Sequence, residues 1–374
     1  MKFIFFVFIL FYTLKGFAGN VFDLNYSIRA ASMGGAYTAV VDNADALFYN
    51  PASLARIDGV AWTILDANFG ASNPSGAQAL MQFIQGGSPS DLANFYGQPI
   101  WLGGHAKTSV STPYFGFAYF DQANLRVELT NPSFPTMDID YINDLGVSLG
   151  FAFPVIPKAL YAGFALKSIT RTGGSQSFSG ATIASLDSAA IVSSMSEGGR
   201  GLGFDFALNI TPPVPGIDPV ISLVWLDVGQ TFYGTPLQSI PKQQDNMIVG
   251  FSMDVDAGPF AFVPSLEIQY INDPTIQFGN KLHLGAEFSM PLFDIRGGFN
   301  QGYYSLGAAM NMGVFNLELA TYGVELGAAP GQIEDRRYVL NLTFEIGVGL
   351  GFTGIFEEGT QNSSGARRRL KQRR

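Results

Sequence analysis

Bulky apolar residues recur at every second position through most of this chain. In 281–290, Leu282, Leu284, Ala286, Phe288 and Met290 fall on one face, with Lys281, His283, Gly285, Glu287 and Ser289 on the other. The run 338–352 repeats the pattern: Tyr338, Leu340, Leu342, Phe344, Ile346, Val348, Leu350 and Phe352 alternate with Val339, Asn341, Thr343, Glu345 and three glycines. A two-residue period is the signature of a β-strand whose faces meet different surroundings. It predicts about fourteen strands, at 59–69, 109–120, 124–130, 139–153, 159–170, 201–211, 219–228, 245–255, 260–271, 280–290, 292–300, 303–312, 314–322 and 337–352. The connections alternate too. Short ones fall at 121–123, 154–158, 212–218, 256–259, near 291 and near 313. Long ones fall at 70–108, 131–138, 171–200, 229–244, 272–279 and 323–336, with a tight link at 301–302 as the exception. Outer-membrane barrels combine an even strand number with short turns at one end and long loops at the other. The reading is an all-β, transmembrane antiparallel β-barrel over residues 59–353.

Composition sharpens this choice. Hydrophobic residues make up 47% of the 374 and charged residues only 14%, with 44 glycines. A soluble sandwich alternates as well, but its solvated faces need more charge than that. Trp62, Tyr114, Tyr119, Tyr304, Tyr322 and Tyr338 lie near expected strand ends, where a barrel places aromatic girdles. Fourteen strands enclose a bore too wide for their own side chains to fill, so a wet, polar interior is expected.

The ends of the chain differ from the middle. Residues 1–18 read as a signal peptide: Lys2, an apolar stretch from Phe3 to Leu14, and the small-x-small site Gly16-Phe17-Ala18. Residues 19–58 are rich in small residues, too few and too polar to stand alone, and are expected to cover or plug the barrel. Residues 354–374 mix Gly, Ser, Gln and Asn with six basic residues, and are expected to form a disordered tail. The net charge of −9 argues against nucleic acid, whose binding rests on Lys and Arg. The lack of cysteine excludes disulfides, thiolate metal sites and thiol catalysis.

Enzymatic chemistry finds little support. Only His105 and His283 could serve as bases. His105 is expected in the first long loop with no acid near in sequence, and His283 on a lumen face. The acidic stretches 254–258 and 138–144 lack the regularly spaced oxygens of a calcium loop. No enzyme activity, cofactor or metal is expected. The first and third long loops are unusually apolar for external loops, with Phe83, Ile84, Phe95 and Ile191 among the residues concerned. Exposed apolar surface marks either capture of a greasy ligand or two loops packing on each other. Strand three is expected to stop at Asn131-Pro132, with Pro135 following, because proline cannot donate to a ladder. Arg126, Lys167 and Arg296 are placed in the lumen, where they could pair a ligand carboxylate or neutralise Glu128, Glu287 and Glu345.

Two stretches carry a family resemblance. The pattern from Arg29 to Ala39 ("RAASMGGAYTA"), followed by "DALFYNPASLA" at 45–55, resembles the N-terminal segment shared by FadL-type outer-membrane channels and PorV/PorQ-like proteins. The run from His283 to Tyr338 resembles the closing hairpins of the PorV-like branch. The resemblance implies a fourteen-stranded barrel in the outer membrane of a diderm bacterium, among its lipid and lipopolysaccharide. It also implies an N-terminal hatch in the lumen, marked here by Gly34, Gly35, Asn50, Pro51 and Ala52. By the FadL pattern, a kink in strand three would open a lateral exit framed by Asn131, Pro132 and Pro135. The function implied is passive transport of hydrophobic molecules, long-chain fatty-acid-like among them. The alternative is a PorV-like accessory that presents or shuttles secreted proteins at the cell surface.

Overall fold

The computed structural model describes residues 27–85, 94–134, 136–179, 196–214, 216–234 and 240–348. The expected signal peptide and basic tail lie outside the described residues. Fourteen strands close into one antiparallel barrel, each paired with its sequence neighbours and the first with the last. They are β1 (Val60–Ser72), β2 (Ile100–Thr112), β3 (Phe115–Thr130), β4 (Thr136–Ile156), β5 (Leu160–Ser179), β6 (Gly198–Ile210) and β7 (Ile217–Leu226). The circuit continues with β8 (Asn246–Ala257), β9 (Phe260–Ile268), β10 (Leu282–Ser289), β11 (Phe293–Asn300), β12 (Tyr303–Met312), β13 (Phe315–Glu325) and β14 (Glu334–Val348).

The strand count agrees with the alternation, but two boundaries do not. One strand was expected to run through 109–120 and the next over 124–130. The chain instead turns at Pro113-Tyr114, where Tyr114 takes a left-handed φ of 69°. It then runs unbroken from Phe115 to Thr130. Gly103, Gly104 and His105, which read as loop, therefore belong to β2. Close neighbours explain the glycines: a Cβ on Gly103 would lie 2.2 Å from the Trp101 ring, which folds across it, and one on Gly104 2.6 Å from Asn68 O of β1.

Strand alternation separates the two faces as expected. Phe204, Phe206, Leu284, Phe288, Ile295, Leu306, Leu319 and Leu340 all stand outward and exposed. Their neighbours Asp205, His283, Glu287, Asp294, Arg296, Glu318 and Asn341 are buried inside. An apolar outer wall with polar residues enclosed is the arrangement a hydrocarbon solvent demands, because a closed barrel leaves no backbone group unpaired. Trp62, Tyr304 and Tyr338 face outward as girdle residues should, whereas Tyr322 turns inward and is buried.

Connection lengths follow strand parity. The links after β2, β4, β6, β8, β10 and β12 are all brief, and the long ones lie at the opposite rim, where 301–302 and the five-residue link 131–135, expected to be long, are the short exceptions. At the long-loop rim, β4 and β5 run to 21 and 20 residues, about twice what a tilted strand needs to cross a bilayer. Their upper halves therefore stand clear of the hydrocarbon. There, Ile100, Val127, Leu129, Met137 and Ile139 have outward parity yet are buried. A helix of the first long loop, α1 (Pro74–Ile84), covers them with Ala77 and Leu80.

Residues 27–58 pass inside the barrel. They form two short helical turns, 28–32 and 46–49, and a 3₁₀ segment, 51–56, with no strand. Met33, Tyr37, Val41, Leu47 and Leu54 of this inner segment are fully buried against inward wall residues that include Ala118, Phe120, Ile169 and Val263. The bore at this level is packed rather than wet. The expectation of a polar, water-filled interior fails because the chain supplies a separate segment to fill what wall side chains cannot reach.

Candidate functional site

The candidate site is the bore, built where the inner segment meets the wall. Glycines on the lumen face make the seats. A Cβ on Gly298 would fall 2.3 Å from Gly34 N, one on Gly163 2.3 Å from Ala52 N, and one on Gly285 2.5 Å from Met33 O. At each point wall backbone meets inner-segment backbone at van der Waals distance, which only glycine permits. Gly34 and Gly35 adopt φ of 62° and 81° and complete the fit from the other side. Gly34 O lies 2.7 Å from Nδ1 of His283. Asn50 Nδ2 donates to Thr38 O at 2.8 Å and to Ser222 Oγ at 3.1 Å, while its Oδ1 accepts from Ala52 N at 3.1 Å. Pro51 opens the 3₁₀ segment, where its missing N–H costs nothing. The five residues of the expected hatch motif thus all sit where the inner segment meets the wall, Gly34 and Gly35 against β10 and β11, and Asn50, Pro51 and Ala52 against β5–β7.

Charged contacts reinforce the glycine seats. Arg29 donates from Nε and Nη2 to both oxygens of Glu287, at 2.6 and 2.8 Å, and from Nη1 to Asp42 at 2.7 Å. Burial works against the guanidinium charge, but Asp42 and Glu287 outweigh it and hold Arg29 well above its ordinary pKa. Arg296 shares Glu287 at 2.8 Å and reaches Glu318 at 2.6 Å. On the adjoining strand β9, Glu267 accepts from Tyr37 N, Thr38 N and Thr38 Oγ1 at 2.7–2.9 Å. A β-bulge after Thr63 keeps Asp66 facing inward beside Lys107. Lys107 Nζ lies 3.0 Å from Asp66 and 2.5 Å from Asp45 of the inner segment.

The three lumen cations, open in the sequence to a ligand carboxylate or to lumen glutamates, are all in ion pairs. Arg126 bonds Asp140 across the β3–β4 ladder at 2.9 Å, rather than Glu128. Lys167 lies 2.9 Å from Asp205 and 3.0 Å from Asp227. Arg296 meets Glu287, as the neutralising alternative required. Glu345 receives Thr63 Oγ1 at 3.0 Å.

Asn131 and Pro132 sit at the tip of the β3–β4 hairpin, and Pro135 lies outside the described residues. The ladder below them is unbroken, from Phe115 opposite Phe151 to Thr130 opposite Thr136. The expected interruption in the wall is therefore a turn at the outer rim. β3 does stop at Thr130, as expected, although it starts nine residues earlier than the alternation suggests. Of the capture-loop residues, Phe95 packs against the outward cluster under α1. Phe83 and Ile84 fall in the last turn of α1, and Ile191 lies outside the described residues.

The sequence missed a chamber. A cavity of about 130 Å³ lies between the inner segment and β1, β2 and β11–β14. Seven carboxylates line it (Asp42, Asp45, Asp58, Asp66, Asp294, Glu318 and Glu345), against the cations Arg29, Lys107 and Arg296. Val60, Ser111, Gly313 and Gly347 carry it to the short-turn rim. His105, expected in a loop, lines this chamber, with Nδ1 2.9 Å from Asn68 Nδ2. The lumen faces of β1, β11, β13 and β14 were each legible as polar, but nothing in their spacing showed that they converge.

No family model matches the chain, and no curated protein matches it in sequence. Solved structures do. "TodX deltaS2S3 mutant monoaromatic hydrocarbon channel" aligns with a TM-score of 0.50 at 10% identity, covering 88% of this chain and all of that one. The toluene transporter TbuX of Ralstonia pickettii aligns at 0.49 and 11%, covering 86% and 98%. The first likeness shows the fold. Together with the outward apolar wall, it defines a transmembrane β-barrel of the outer membrane.

Proposed function

We propose that this protein is a FadL-type channel for passive passage of hydrophobic molecules across the outer membrane, closed at rest by residues 27–58. The observation that carries the reading is an apolar stretch on the bore wall itself. Ala118, Phe120, Ala152, Ile169 and Val263 face inward and are covered by the inner segment. A pore for hydrophilic solutes has no use for a lumen wall of this kind. Barrel closure between β1 and β14 does not involve the inner segment, so the segment can shift without opening the sheet. The neighbour at a TM-score of 0.50 is described as a monoaromatic hydrocarbon channel, which suits the same class of cargo. Long-chain fatty acids and monoaromatic hydrocarbons are both candidates. The test is uptake of each, labelled, by cells expressing the chain. Replacing Phe120 and Ile169 with Gln is expected to reduce uptake while the barrel still shows heat-dependent gel migration. Undiminished uptake by the double variant would overturn the reading.

A PorV-like accessory that presents secreted proteins is the second reading. The unbroken β3–β4 ladder favours it, since it leaves no lateral exit at that place. Stoichiometric co-purification of an exported protein from solubilised membranes, lost when α1 is deleted, would replace the first reading with this one.

A further inference from the structure

We propose that the acidic chamber at the short-turn rim receives an arginine side chain of the basic run Arg367–Arg374 of the same chain, which then braces the inner segment from below. The inference goes beyond the transport reading and does not depend on what crosses the bore. Three observations support it. Seven carboxylates face three cations in the chamber lining, and Arg29, Lys107 and Arg296 are each already paired within it. The net charge around a cavity of this size is therefore strongly negative, and low-dielectric walls concentrate its field toward the mouth.

The second observation concerns unmet acceptors. Asn341, 4% exposed and lining the chamber, gives its amide N–H groups to Glu318 and Thr343, yet its Oδ1 accepts nothing. Asn316 Oδ1, on the same wall, also lacks a donor. A buried acceptor without a donor is destabilising, so a donor-rich ligand is favoured there. A guanidinium offers five N–H donors in a planar fork and suits both the amide oxygens and the carboxylates.

The third observation is the tether. β14 ends at Val348 on the rim where Gly347 lines the chamber mouth. Arg367, Arg368, Arg369, Lys371, Arg373 and Arg374 follow after eighteen residues. That linker can reach about 60 Å when extended, more than the diameter of the rim requires. Tethering raises the effective concentration of the basic run to about the millimolar range. Modest charge pairing then suffices for occupancy. The inner segment contributes Asp42, Asp45 and Asp58 to the lining, so a bound basic run would join the segment to the wall.

The lack of cysteine makes a direct test simple. The full chain, carrying spin labels at Ala61→Cys in the chamber lining and Leu370→Cys in the basic run, is reconstituted in zwitterionic vesicles. Pulsed EPR is expected to give a short, narrow distance at 0.1 M salt. At 1 M salt, where screening acts within about 3 Å, the short population should fall several-fold. Asp58→Asn with Glu345→Gln should lower it roughly fivefold, and replacing Arg367, Arg368 and Arg369 with serine should abolish it. A control pair, Gly258→Cys with Leu370→Cys, places the first label on another short turn and should give only longer distances. Because a charge variant could perturb the barrel, a second measurement uses protein truncated after residue 353. A synthetic peptide of residues 365–374 should bind it, and bind more weakly in salt. A broad distribution at both salt concentrations overturns the proposal, as does a short distance that survives the serine replacements. Coupling of the tail only to anionic vesicles overturns it as well.

Discussion

The two sides of the bore hold the same inner segment by different physics. On the β3–β9 side, Phe120, Ile169 and Val263 meet Phe48, Leu47 and Tyr37, with the Phe48 and Phe120 rings edge to face at 5.3 Å. The cations of that side are occupied among themselves, Lys167 with Asp205 and Asp227, and Arg171 with Asp144. On the side of β10–β14 and β1–β2, Arg29 and Asp45 of the segment reach Glu287 and Lys107 of the wall. Apolar packing is non-directional and tolerates small shifts. Buried ion pairs depend on geometry, and losing one partner leaves a charge stranded. The β3–β9 side therefore adds contact area to its hydrogen bonds at Glu267 and Ser222, and the other side ties the segment to the wall by ion pairs. Substitutions on the two sides should fail in different ways.

The largest effect is expected where neither kind of contact can adjust. Gly298→Val would press side-chain carbons into the backbone at Met33 and Gly34, which a Cβ already meets at 2.3 Å. Ordinary overpacking costs about 1–3 kcal/mol, and backbone on backbone has no rotamer through which to escape. The segment should leave its seat while the barrel persists. Planar-bilayer recording should show conductance absent in the parent protein, with heat-dependent gel migration retained. A closed, silent barrel would mean that the glycine seats do not position the segment.

Next comes the charged side. Arg29→Ala removes one of the two arginines that pair with Glu287 and takes from Asp42 its 2.7 Å partner. Removing one member of a buried pair costs about 3–5 kcal/mol. The segment should become accessible to protease at denaturant concentrations where the barrel remains folded. A double-mutant cycle with Glu287→Ala should give a coupling of at least 1 kcal/mol. A null coupling would remove the charged side from the account. The matching change on the apolar side is milder. Phe120→Leu keeps a hydrophobe at a fully buried position, and near-volume-conserving swaps cost less than about 1.5 kcal/mol. If Phe120→Leu releases the segment as readily as Arg29→Ala, the assignment of roles to the two sides is wrong.

The barrel itself was largely legible, because alternation is written residue by residue and survives small errors of boundary. The strand at Lys281–Met290 and the closing strand show this, with His283 and Glu287 inside and Leu284 and Phe288 outside. Where reading failed, a local signal pointed the wrong way. Gly103-Gly104 looked like a loop, yet these glycines give room to Trp101 and to the neighbouring strand. Pro132 marks the end of β3 where expected, but the turn at Pro113-Tyr114 reads as strand, so β3 looks nine residues shorter than it is. The chamber was not legible at all. Asp66, Glu318 and Glu345 are separated by up to 279 positions and meet only through the β1–β14 closure and the bulge after Thr63. The abundance of glycine had a cause that composition alone could not give, since Gly163, Gly285 and Gly298 matter only once a second backbone lies against them.

The smallest expected effect separates the wall from its rim. Pro132→Val with Pro135→Val tests whether strand three controls an exit. Thr130 and Thr136 close the ladder just below the tip, their hydroxyl oxygens 2.5 Å apart, and Arg126 ties β3 to Asp140 further down. Asn131 takes a left-handed φ of 52°, and its Oδ1 accepts from Phe134 N at 3.3 Å, so the turn has a hydrogen bond that neither proline supplies. Straightening the tip should leave the register from Phe115 to Thr130 as it is. Hydrophobe uptake should match the parent within error, and stability should change by no more than about 0.5 kcal/mol, as for other surface positions. A clear loss of uptake would show that the hairpin tip reaches the path of the cargo. The contrast between a sealed wall and a movable inner segment would then have to be redrawn with the β3–β4 hairpin as the moving part.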